Sequence, residues 1–186
     1  MWPSHAHSRD SLAAFPRQIP HLAAILRPPE FWQGGGMVHV ELDRVVEGTG
    51  VAGAWERLID VSRWPDYFPG VEEVAPVDGG EFAPGFSWLE KRSAAGFSGE
   101  RRWQLVSVSP YAEFTAESLD SGERTRITWA VAPRGEDGAL LSTRYERELE
   151  HAPMIVAVAQ RLTDPLHARA VAKALRRDLE AFAAQA

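Results

Sequence analysis

From Val71 to Leu149 apolar and polar residues alternate, and short clusters of turn chemistry break the alternation. The breaks are Asp78-Gly79-Gly80, Pro84-Gly85, Ala94-Ala95-Gly96, Ser109-Pro110, Asp120-Ser121-Gly122 and Gly135-Glu136-Asp137-Gly138. Between them a period of two predicts strands near Val71–Pro76, Phe86–Arg92, Phe97–Ser109, Ala112–Leu119, Thr125–Ala132 and Ala139–Leu149. Connections this short make consecutive strands antiparallel neighbours. Several are about 10 residues long, which suits a strongly curved sheet.

The flanks of this region are different. Val38 to Val46 alternates too: Val38, Val40 and Leu42 share one face, His39, Glu41 and Asp43 the other. Gly48-Thr49-Gly50 ends that strand. Val51 to Ile59 then carries Val51, Ala54, Trp55, Leu58 and Ile59 at helical spacing. A second, very short helix is expected after Ser62 as N-cap, with Pro65 in its first turn and Pro69-Gly70 as its stop. Beyond Leu149 the period turns helical again. Pro153 to Thr163 holds Ile155, Val158, Ala159 and Leu162. Then Leu166, Ala170, Val171, Ala174, Leu175, Leu179 and Phe182 form a stripe opposite Arg169, Lys173, Arg176, Arg177 and Glu180. Pro165 either divides two helices or kinks one. A sheet with a polar outer face must cover its inner face. Only the last helix is long enough, so the expectation is an α+β fold: a curved antiparallel sheet around one long helix.

Composition narrows the chemistry. With 45% hydrophobic and 25% charged residues the chain of 186 is no disordered segment. It has no cysteine, which excludes disulfides, thiolate nucleophiles and zinc-thiolate sites. That absence fits a reducing cytosol, and a cytoplasmic location is expected. A net charge of −6 disfavours a nucleic-acid partner. The first 36 residues hold five of the 13 prolines and end in Gly34-Gly35-Gly36. They carry three arginines against two acids, leaving 17 basic and 24 acidic residues in the body. Their longest apolar run, Leu22 to Leu26, is shorter than the h-region of a signal peptide. Residues 1–36 are expected to be an extension, mobile or non-native. It is either a tail or a segment that packs Trp2, Phe15, Phe31 and Trp32; a natural start at Met37 is the third reading. His5 and His7 form a lone His-x-His without a third ligand.

Several features of the body together resemble a known superfamily. They are Val51-Ala52-Gly53-Ala54-Trp55-Glu56-Arg57-Leu58-Ile59-Asp60, then Arg63-Trp64-Pro65-Asp66-Tyr67-Phe68-Pro69-Gly70-Val71, then Pro84-Gly85 and the long terminal helix. In this order they look like the START-like, birch-pollen-allergen-like superfamily (SRPBCC), a group that includes polyketide cyclase/dehydrase and lipid-transport proteins. The resemblance covers residues 37–186. It implies the helix-grip fold: a curved seven-stranded antiparallel sheet wrapped around a long C-terminal helix, with two short helices between strands 1 and 2. It also implies a cavity between sheet and helix for a hydrophobic or amphipathic small molecule, such as a lipid, an isoprenoid or a polyketide. Fold alone does not select among the group's functions.

Period-two phasing turns four sets inward: Phe86/Trp88/Glu90, Trp103/Leu105/Ser107, Ile127/Trp129/Val131 and Leu141/Thr143/Tyr145. The ligand-binding residues expected are Trp64, Phe68, Phe86, Trp88, Trp103, Trp129, Tyr145 and Leu166. The competing explanation is that these aromatics simply fill the core. Trp64, Tyr67 and Phe68 either form an apolar lip for transient membrane contact or anchor the short helix. A homodimer is a further option.

For chemistry the residues offer less. His39, His151 and His167 lie far apart in sequence and read as surface or cap residues, so no metal site and no cofactor is expected. Gly48-x-Gly50 lacks the third glycine of a phosphate loop. The runs Glu100-Arg101-Arg102 and Thr143 to Glu150 read as outward cross-strand salt pairs. The resemblance implies, for an aromatase/cyclase, an arginine late on the strand of Trp103–Ser109 and a tyrosine after Pro69-Gly70. Here that strand ends Val106-Ser107-Val108-Ser109, and Val71 follows Gly70. The replacement candidates are Glu90, Arg92 and Arg101, if they face inward. Ligand binding is therefore the leading reading, polyketide cyclase or dehydrase activity the alternative, and a protein-interaction module such as a cochaperone the third.

Overall fold

The computed structural model describes residues 38–77, 80–94, 97–120, 123–149 and 154–185. The expectations for residues 1–37, for His151, and for the side chains of Ile155, Val158, Ala159 and Leu162 fall outside that set. Seven strands form one sheet: β1 (Val38–Val46), β2 (Val71–Pro76), β3 (Ser87–Ala94), β4 (Phe97–Ser109), β5 (Glu113–Asp120), β6 (Glu123–Arg134) and β7 (Gly138–Leu149). Helices α1 (Gly50–Ile59) and α2 (Trp64–Tyr67) stand between β1 and β2, and α3 (Met154–Ala183) follows β7. The strand order is β1-β7-β6-β5-β4-β3-β2, antiparallel at every pair. Each strand from β2 to β6 thus pairs with the next. This is the α+β helix-grip arrangement expected.

The α1 helix buries Ala54, Trp55 and Leu58, the residues at three-to-four spacing. Its glycines serve the turn rather than a phosphate. Gly48 and Gly50 take positive φ of 74° and 59°, where other residues are strained. The Gly50 N–H donates to the Asp137 carbonyl at 3.2 Å and so ties the start of α1 to the β6–β7 turn.

Ser62 corrects one expectation. It lies within a 3₁₀ turn, Val61–Arg63, and Arg63 occupies the N-cap of α2. From inside that turn its hydroxyl donates instead to Asp60 Oδ1 at 2.5 Å. The stop at Pro69-Gly70 is as expected.

Helix α3 is a single element of 30 residues with Pro165 inside it, longer than the sequence pattern suggested. Pro165 has no N–H for the carbonyl four residues earlier. The helix is held by burial: Leu175, Leu179 and Phe182 are sealed against the sheet and α2. Each such side chain contributes about 1.5–3 kcal/mol. The strand whose backbone α3 runs closest to is β1.

The inward face follows the period of two on β3, β6 and β7, burying Trp88 and Glu90, Ile127, Trp129 and Val131, and Leu141, Thr143 and Tyr145. On β4 it fails after Leu105. A register shift between Leu105 and Ser107 inserts one residue against β5. Ser107, expected inward, is therefore exposed.

Candidate functional site

The concave face divides into an aromatic end and a charged end. At the aromatic end Phe68, fully buried, stacks on Trp129 (centroids 5.2 Å apart) and on Phe182 of α3 (5.7 Å). Trp64 meets both Phe68 and Trp88 edge-on, and Phe86 leans on Trp88. The Trp64 indole donates to the Leu58 carbonyl at 3.0 Å, which ties α2 to α1. Offset and edge-to-face pairs of this kind add about 0.5–1.5 kcal/mol each beyond area burial. Trp64, Tyr67 and Phe68 are thus turned inward and buried, not displayed at the surface.

All the expected ligand-binding aromatics, Trp64, Phe68, Phe86, Trp88, Trp103, Trp129 and Tyr145, lie buried on or against this face. Leu166 stands apart from them on α3, 65% exposed, nine residues before Leu175, where the buried stripe begins.

Glu90 and Arg92 face inward, as their phasing with Trp88 demands. Arg92 Nε donates to Glu90 Oε1 at 2.6 Å, and its Nη1 donates to Asp178 Oδ2 at 2.5 Å. Burial works against the Arg92 charge, but the two carboxylates outweigh it and hold the guanidinium protonated beyond its usual range. Burial pushes the Asp178 carboxyl up, and Arg92 and the Gly70 N–H pull it back only in part. This triad fastens α3 to β3 and to the turn after α2. Asp178 is a residue the sequence reading passed over. Its signal was its place three residues after Leu175 and four before Phe182, on the stripe that is otherwise apolar.

Arg101 also faces inward. It reaches over β5 to donate to Thr125 Oγ1 at 3.1 Å and to Glu123 Oε1 at 3.4 Å. The other Glu123 oxygen lies 2.8 Å from Arg147 Nε on β7. That N–H has no aligned acceptor, so the Arg147 pair is held by charge rather than by a directed hydrogen bond. Two of the charges expected to point outward, Arg101 and Arg147, therefore point inward. Arg147 is in phase with Thr143 and Tyr145, and that phase was the available signal. Arg144 and Glu41, directly opposed on β7 and β1, do make the outward pair expected of that run.

From α3, His167 faces the same cluster, with its ring 6.5 Å from that of Tyr145. Burial, then Arg147, pushes the His167 imidazole below its ordinary value, against smaller opposite pulls from Glu123 and Asp164. It is neutral at pH 7, and its Nε2 is buried without a hydrogen-bond partner in the protein. The sequence alone makes His167 a surface or cap residue; in the structure it is half-buried.

On the same inward face more polar atoms are buried without partners: the indole nitrogens of Trp88, Trp103 and Trp129, and Thr143 Oγ1. An indole N–H can only donate. The lining is therefore rich in donors awaiting an acceptor. A separate shallow pocket of about 480 Å³ lies outside this face, among Val45, Glu47, Gly48, Arg134, Gly135, Asp137 and Gly138. Among the described residues no cluster of His, Asp and Glu could hold a metal ion. No described helix is long and apolar enough to cross a membrane.

The arrangement has relatives among solved structures. The Zhui aromatase/cyclase from a Streptomyces species superposes with a TM-score of 0.67 at 18% identity, covering 81% of this chain and 93% of its own. Norcoclaurine synthase from Thalictrum flavum gives 0.53 at 18% identity, with coverage of 80% and 98%. A START superfamily protein from Mycobacterium smegmatis gives 0.51 at 15% identity, with coverage of 77% and 98%. At these identities the likeness is one of fold, and it bears out the START-like resemblance. Among curated proteins no sequence matches. The model of one protein family, polyketide cyclase / dehydrase and lipid transport, matches residues 37–186. By that match the chain belongs to the polyketide cyclase / dehydrase and lipid transport family.

Proposed function

We propose that this chain is a cytoplasmic binder of a small amphipathic molecule, held between the concave face and α3, with an apolar body and oxygen acceptors along it. One observation carries the reading: Trp88, Trp103 and Trp129 Nε1, Thr143 Oγ1 and His167 Nε2 are all buried without a protein partner. A buried donor left unmade costs about 1–3 kcal/mol. Packed cores leave few such atoms, and here these five, together with Arg147 Nε, belong to the inward face or to the helix over it. A ligand with carbonyl, ether or hydroxyl oxygens would satisfy them, while Ile127, Tyr145 and Leu105 contact its apolar parts.

The test is native mass spectrometry of the chain purified without detergent or solvent. The expected result is a small molecule that survives purification and leaves on denaturation, with oxygen in its formula. A protein whose native and denatured masses agree, and which binds no hydrophobic probe, would overturn the reading.

One observation favours chemistry in the same place. His167 is a neutral imidazole beside two guanidiniums, a base next to charge that could stabilise an enolate. The family includes polyketide cyclases, and turnover of a polyketide precursor that is lost in His167→Gln would support this second reading. Unchanged turnover in that variant would refute His167 as its base.

A further inference from the structure

Resting on the binding reading above, we propose that the ligand carries a carboxylate, and that this group takes the place Glu123 holds between Arg101 and Arg147.

The three residues come from three strands, β4, β6 and β7, and meet inside the curve of the sheet. Glu123 spans the two guanidiniums with one oxygen each, at 3.4 Å and 2.8 Å. Neither contact is the two-pronged pairing that arginine and carboxylate prefer. The Arg101 bond is at the long limit, and the Arg147 N–H is misaligned. Each guanidinium has five N–H donors, and Arg101 spends one on Thr125 and one on Glu123. The arginines therefore hold more capacity for an anion than Glu123 uses.

The position suits an incoming head group. Side-chain exposure falls from 32% at Arg101 and 24% at Glu123 to 12% at Arg147. The cluster is a rim that solvent reaches. Inward from it the facing pairs are Arg147 with Thr125, then Tyr145 with Ile127, then Thr143 with Trp129. Charge beside one hydroxyl, Thr125, gives way to Tyr145 and Ile127 and then to Trp129 beside Thr143, a lining that suits an acid with a largely apolar tail.

Charge balance then decides which head group can enter. Arg101, Arg147, Glu123 and Asp164 all act on His167, two positive and two negative around a neutral ring. A ligand carboxylate that displaces Glu123 keeps this balance, and Glu123 regains water at the rim. A neutral head group that displaced Glu123 would leave two half-buried guanidiniums short of an anion, which is costly. Glu123 acts as a tethered stand-in that keeps the arginines paired until an acid arrives.

The experiment uses the full chain and two matched pairs: oleate with oleyl alcohol, and 9-anthracenecarboxylate with 9-anthracenemethanol. Binding is followed by calorimetry and by tryptophan fluorescence. The expected result is that at least one acid binds about tenfold tighter than its alcohol. Glu123→Gln should tighten the acid and leave the alcohol unchanged. Arg147→Met should bring the ratio of acid to alcohol close to one. If Arg147→Met fails to fold, Arg101→Met and Glu123→Gln carry the same comparison. Alcohols that bind as well as acids, or a ratio that survives these variants in folded protein, overturn this inference and leave the binding reading standing. No binding by any of the four overturns the binding reading itself.

Discussion

Asp178 accepts a hydrogen bond from Arg92 at 2.5 Å, from the middle of the stripe that α3 buries with Leu175, Leu179 and Phe182. A charged group at the centre of an apolar contact makes the docking of the helix conditional on its partner. Breaking a buried pair from one side costs about 3–5 kcal/mol, because a charge is left behind. Arg92→Met leaves two carboxylates, Glu90 and Asp178, and should lower stability by that amount in a urea melt. Asp178→Asn keeps the shape and leaves Arg92 to Glu90, so its cost should be smaller, about 1–3 kcal/mol. An equal cost for the two would show that the triad does not bind as described.

His167 should titrate below its ordinary 6.5 in an NMR pH series. Its folded form favours the neutral ring. The stability it contributes is therefore complete above the unfolded value and is lost as pH falls from 6.5 through the folded value. Arg147→Met removes a positive neighbour and should move the titration upward. Glu123→Gln removes a negative one and should move it further down. A titration that ignores both variants would disprove the electrostatic contact.

Phe68 holds Trp129 on one side and Phe182 on the other. Phe68→Ala should cost about 3–5 kcal/mol. It should also redden the tryptophan emission, since Trp129 loses its cover. A cost below about 1 kcal/mol would mean that the site refills by collapse.

Pro165 is exposed and interior to α3. Pro165→Ala restores one helical hydrogen bond and should raise stability by about 1–3 kcal/mol. A loss of stability instead would indicate that the proline sets the path of the helix.

The strands were legible because turns punctuate them: Phe97–Ser109 and Val71–Pro76 begin and end in the structure where the alternation places them. The inward face was legible where phase alone decides, as at Trp88, Trp129 and Tyr145. It was not legible where phase and charge disagree. Arg147 shares the phase of Tyr145, yet a run of alternating charges invites an outward reading. Nor can one strand's alternation foresee a bulge, since the extra residue at β4 exists only against β5, and Ser107 turned outward there. Partners are a matter of three dimensions. Glu123 and Arg101 are 22 residues apart with a whole strand between them, and nothing in either segment names the other.

The pairing of β1 with β7 sets a clock on folding. Val38 meets Arg147 and Val46 meets Ala139, so the first strand waits for the last. Strands β2 to β7 can zip in sequence as hairpins, each turn closing a short loop. The first strand must close a loop of about a hundred residues, and contacts of that span form slowly. Until β7 is made, β1 has no neighbour in the sheet, and α3 lacks the strand its backbone runs closest to. Full docking of the helix should therefore come late in folding. A destabilised β1 should first be seen as a loosened helix, with the meander from β2 to β6 still intact.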